Sequence, residues 1–177
     1  MEYVLAGYAA LPRSSTVSVS ACLADLVPAE PDWDDWFPDA AAAARTGHAV
    51  YEIGFPAKDV PVLLAEFAAA GAGGLPDRLA RAEPPHHLGD GKLLGFEPVG
   101  FDCGLCHSWG CLGGLIDDVR RATGIRARDG LIEDEAAAVE AARWLTASGL
   151  GDPKVFFWTP AVLIGVPATP LRGTGPG

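Results

Sequence analysis

Two helix-like segments follow one another before the last strand-like run of this chain, and that order is hard to fit to an alternating βαβ fold. Residues 108–122 carry Cys111, Leu112, Leu115, Ile116 and Val119 at helical spacing. Ser108 stands at the N-cap position, Arg120 and Arg121 suit the C-terminal dipole, and Gly124 supplies a stop. Gly113-Gly114 weakens the segment unless another backbone packs closely there. Residues 133–147 give the clearest helix: acids crowd its start, Ala136, Val139, Ala142 and Leu145 share a face, and Gly149 ends it. Residues 154–166 then read as a final strand, with Pro160 breaking or bulging it. This mixture predicts an α+β sandwich, a mostly antiparallel sheet with helices packed on it, rather than a doubly wound parallel sheet.

The first half fits the same class. Residues 3–8 and 49–55 read as strands, and 39–46 as a short alanine-rich helix stopped by Gly47. Asp59 is placed to cap a helix over 60–70, where Leu63, Leu64 and Phe67 form a stripe. Residues 17–26 are ambiguous: Val17, Val19 and Ala21 alternate with serines, whereas Cys22 to Leu26 suits a helical start. Residues 71–92, rich in Gly, Pro and charge, read as a long loop, and 93–101 as a strand bent near Pro98, on an edge or at a bulge. The 177 residues suffice for one sizeable core. The expected organisation is a single domain over 1–167 with a frayed tail over 168–177.

Charge narrows the partners. Thirteen Lys and Arg face 23 Asp and Glu, for a net charge of −10. Binding to nucleic-acid phosphates or anionic membrane needs clustered cations, so neither is an expected partner. A basic protein is, because opposite potentials steer association. The surface best suited to it is Asp32, Trp33, Asp34, Asp35 and Trp36, where aromatics offer anchor area and carboxylates select Arg or Lys. Solvated acids with tryptophans tucked into the core would give the same pattern. No basic-then-apolar leader opens the sequence and no window approaches a membrane span, so the expected compartment is the cytoplasm, where thiols stay reduced.

Three of the four cysteines fall within nine residues, as Cys103, Cys106 and Cys111, with His107 among them. Cys103-x-x-Cys106-His107 matches c-type haem attachment by letter, but the single methionine is Met1 and cannot readily serve as an axial ligand. Zinc is a second reading: Cys103 and Cys106 suit a knuckle, and a helix starting near 107 would set His107 and Cys111 on one face. Thiol redox or nucleophilic chemistry is a third, since a helix N-terminus lowers a thiol pKa. The fourth reading makes all of them turn and core residues.

The second half resembles a group of small bacterial proteins of immunity or accessory type. The likeness rests on 93–102, on His107-Ser-Trp-Gly-Cys-Leu-Gly-Gly-Leu115, on Gly130-Leu131 with the alanine-rich helix, and on Phe156-Phe-Trp-Thr-Pro160. It implies that His107, Ser108, Trp109 and Cys111 belong to a shared pattern and that Cys103 and Cys106 are additions. With no paired carboxylates or Ser-His-Asp set identifiable, the expectation is a non-catalytic, immunity-like binding protein without a cofactor. The alternative is a thiol or zinc protein using Cys103, Cys106, His107 and Cys111.

Overall fold

The structure, a computed structural model, describes residues 1–12, 16–19, 36–37, 39–70, 88–89, 91–102, 105–150, 155 and 157–167. Five strands, β1 (Tyr3–Leu11), β2 (Ala49–Pro56), β3 (Lys92–Asp102), β4 (Leu105–Ser108) and β5 (Phe157–Gly165), form one curled sheet in the order β1-β2-β5-β3-β4. Every pairing is antiparallel. Four helices accompany it among the described residues: α1 (Ala40–Ala44), α2 (Val60–Ala70), α3 (Leu115–Thr123) and α4 (Glu135–Ser148). The α+β class expected from the element order is the one observed. No helix among the described residues is long and apolar enough to cross a membrane. The long loop expected over 71–92 and the tail over 168–177 fall almost entirely outside the described residues.

Strand periodicity gives the sheet two buried faces. On the inner face Val4, Ala6, Tyr51, Ile53, Phe55, Val99, Phe101, Ala161 and Leu163 form one cluster with Val19, Trp36, Val60 and Leu63. On the outer face Phe96, Trp158 and Val162 pack under α3 and α4, together with Trp109 and Ile132. Each large apolar side chain buried this way contributes about 1.5–3 kcal/mol. Thr159 of β5 donates to Asp59 Oδ2 at 2.7 Å and ties the foot of α2 to the sheet.

A bulge in β3 decides which side chain faces which way. The register with β5 shifts between Leu93 and Gly95, so Leu94 packs on the inner cluster while Phe96, two residues on, packs on the outer one. Gly95 adopts φ 148°, a conformation that L side chains avoid. Beyond the bulge the alternation is regular, and Glu97, Val99 and Phe101 all turn inward. Pro98 is neither on an edge strand nor at the bulge. It lies opposite Pro160, and its carbonyl accepts from Trp109 N at 3.1 Å on the side away from β5, so its missing N–H costs the β3–β5 ladder nothing.

Two helices differ from expectation. The helix expected over 108–122 is only α3, starting at Leu115. Ser108 pairs with Val99 as the last residue of β4, and Cys111 and Leu112 lie in a turn. Gly114, at φ 91°, is left-handed and breaks any helix arriving from Ser108. In α4 the buried residues are Ala138, Ala141, Ala142 and Leu145, so the predicted face is rotated and Ala136 is exposed. Alanines at these positions let the helix backbone approach Trp158 and Phe96 closely.

Candidate functional site

The inner face carries a carboxyl in its depth. Glu97 is 2 % exposed and stands between two inward-facing neighbours that are wholly apolar along the sheet, Val99 in its own strand and Ala161 opposite it. Three donors satisfy its carboxyl. Ser18 Oγ donates to Oε1 at 2.8 Å, Val19 N donates to Oε2 at 2.7 Å, and Ser108 Oγ donates to Oε1. Ser108 reaches it because β4 pairs beside β3, and its hydroxyl also accepts from Gly110 N at 3.0 Å, which shapes the turn after β4.

Residues 18 and 19 are held from further directions. Tyr51 of β2 donates its hydroxyl to the Ser18 carbonyl at 2.8 Å. Trp36 donates its indole N–H to the Val19 carbonyl at 3.2 Å. Phe37 exchanges two backbone hydrogen bonds with Tyr8 of β1, at 3.0 and 2.6 Å. The residues flanking 20–35 therefore meet at one place and are fastened to the sheet at β1, β2 and β3.

The electrostatics follow from burial. Loss of water raises the Glu97 carboxyl from its ordinary 4.5 to about 7, against the pull of its three donors, which favour the ion. Burial and the nearby Glu97 charge push the Tyr51 phenol upward as well. Among the described residues no cation pairs with Glu97. Such a group can hold or release a proton near neutrality and can grip a chain segment. Being sealed, it cannot meet a substrate in this conformation.

The residues expected to act fall in different places. Trp36 is 2 % exposed and packs against Phe55, with ring centroids 5.9 Å apart. Its indole N–H goes to Val19 and its ring to the core, so of the expected partner-binding residues it is placed inside the fold. Asp32, Trp33, Asp34, Asp35 and Cys103 lie outside the described residues. Cys106 packs on the inner cluster, on the same face of β4 as Ser108, while His107 between them points to the opposite face. Cys111 lies in the turn after β4, so the helical geometry expected to bring His107 and Cys111 to one face is not formed. Among the described residues no three His, Cys, Asp or Glu are grouped to hold a metal.

Sequence reasoning passed over Glu97 and Ser18. The signal for Glu97 was present: an acid two residues from Val99 and four from Phe101 in a strand shares their face. A groove of about 840 Å³, lined by Ala136, Val139, Arg143, Trp144 and Ala147 of α4 with Met1, runs along the outer side of that helix. It lies across the sheet from Glu97. No protein-family model matches the chain, and neither curated proteins nor solved structures give a match to it.

Proposed function

We propose that this chain is a non-catalytic, cytoplasmic, immunity-like binding protein that presents its acidic and aromatic segment, residues 20–35, to a basic protein partner. The observation that carries the reading is the closure of that segment's base. Val19 and Trp36 meet at 3.2 Å, and Val19 is in turn fixed to Glu97 at 2.7 Å. A stretch whose flanking residues are fastened to a rigid sheet is well placed to display a recognition surface. Between these anchors the chain carries Asp25, Glu30, Asp32, Asp34 and Asp35 and no Lys or Arg, so half of the net charge of −10 is concentrated there. Such a field raises the encounter rate with a basic surface and repels an acidic one. Trp33 supplies the apolar anchor, and Trp36 the structural one.

The test is titration calorimetry with an arginine-rich peptide as the probe, on the wild type and on a variant carrying Asp32→Lys, Asp34→Lys and Asp35→Lys. The expected result is binding to the wild type that weakens at least tenfold in the variant. Equal affinity for both chains, or no binding to either, overturns the reading.

A further inference from the structure

Glu97 holds Ser18 and Val19 on the sheet with a group that can change its charge. Its two oxygens take Ser18 Oγ, Val19 N and Ser108 Oγ. Among the described residues, the other titratable groups on the inner face are Tyr51 on β2, Cys106 on β4, and Asp59 at the foot of α2, which Thr159 of β5 holds. Both protonation states can be hydrogen-bonded in place. As a carboxylate, Glu97 accepts from all three donors. As an acid, its own O–H donates to the hydroxyl of Ser18 or Ser108, either of which can rotate to accept, while Val19 N–H still donates to the other oxygen. The difference lies in solvation. With residues 16–19 seated, the carboxyl is sealed from water and no described cation offsets its charge. With that segment lifted, water reaches the carboxyl and stabilises the ion.

We propose that Glu97 is a proton-operated latch: with its proton it keeps Ser18 and Val19 on the sheet, and on losing it lets residues 16–19 lift. The latch operates without a partner and stands apart from the binding reading above. Its direction follows from burial, which raises the seated carboxyl to about 7 from an ordinary 4.5. The seated-to-lifted ratio then falls roughly 70-fold between pH 5 and pH 8.

Hydrogen–deuterium exchange of the whole chain at pH 5 and pH 8, corrected for intrinsic exchange rates and read by mass spectrometry, tests this. Peptides covering residues 16–19 should lose protection at pH 8 by at least tenfold more than peptides from α4, and Glu97→Gln should abolish that difference. Equal protection at both pH values in the wild type, or a drop that persists in Glu97→Gln, overturns the latch. Should Glu97→Gln fail to fold, a ¹³C titration of the Glu97 carboxyl in the wild type decides it. A midpoint near neutrality supports the latch, and one in the ordinary carboxylate range refutes it. Loss of the binding reading would show only in the probe titrations and would leave these results unchanged.

Discussion

The indole N–H of Trp36 donates to the carbonyl of Val19 at 3.2 Å. That single bond brings two points 17 residues apart together at one place on the sheet. It also explains why one tryptophan of an acidic, Trp-rich stretch is buried: Trp36 belongs to the fold.

Trp36→Phe should therefore act on stability more than on charge-driven binding. The substitution keeps an aromatic ring against Phe55 but removes the only hydrogen the side chain can donate. The buried Val19 carbonyl loses a partner, at a cost of about 1–3 kcal/mol. Urea denaturation should show a lower midpoint with an unchanged slope. A variant as stable as the wild type would mean that the Val19–Trp36 contact does not close the segment.

Glu97 should also leave a mark on global stability, with a definite sign. Its seated value of about 7 lies above the ordinary 4.5, so between these values the folded chain binds a proton that the unfolded chain does not. Stability then falls as pH rises through that window and levels off above it, by about 3 kcal/mol in total. The contribution is fully present below about pH 4.5. Subtracting a Glu97→Gln series from the wild-type series at pH 5, 6, 7 and 8 isolates it from the exposed carboxylates. A difference that is flat with pH, or that grows in favour of the wild type toward pH 8, would contradict the buried, uncompensated charge.

Ser108→Ala should deepen that dependence. The hydroxyl donates to Glu97 Oε1 and favours its ionised form, and it also accepts from Gly110 N. Without it the carboxylate has two donors instead of three. The loss should be about 1.5–3 kcal/mol at pH 8, where the bond is to a charge, and smaller at pH 5. Denaturation midpoints at the two pH values measure it. Equal losses at both would show that Ser108 acts mainly through the turn at Gly110.

The fold class was legible because strands and helices followed their periods, and because two helix signals preceded the last strand. The start of α3 was not. Ser108 has the chemistry of an N-cap, yet its hydroxyl serves Glu97 and the turn at Gly110, contacts set by the pairing of β4 with β3. Tertiary pairing overrode a sound local signal, and Gly114 was the residue that would have corrected it. The zinc reading of the cysteine cluster placed His107 and Cys111 on one face of a helix. On a strand the same Cys106 and His107 point to opposite faces. Ser18 could not be found from sequence at all, since its role depends on a contact 79 residues away.

Gly95 carries the last expectation, because the whole inward set on β3 depends on it. Its φ of 148° is open to glycine and costs an L residue about 1–3 kcal/mol. Space is short as well: a Cβ there would stand 2.9 Å from Leu131 Cβ and 3.1 Å from the Ile132 carbonyl oxygen. That carbonyl is committed to Phe96 N at 2.8 Å, so it cannot withdraw without breaking the bridge that seats Ile132 on β3. Gly95→Ala should cost more than about 2 kcal/mol, with strain and steric conflict acting together. If the bulge relaxed instead, β3 would return to strict alternation relative to Leu94 and carry Glu97 off the inner face. In that case the pH dependence assigned to Glu97 would vanish along with the stability. Denaturation of Gly95→Ala at pH 5 and pH 8 distinguishes the two: a loss that keeps the wild-type pH dependence means strain with the bulge intact, and a loss without it means the register has slipped. Stability equal to the wild type at both pH values would show that the bulge does not depend on glycine.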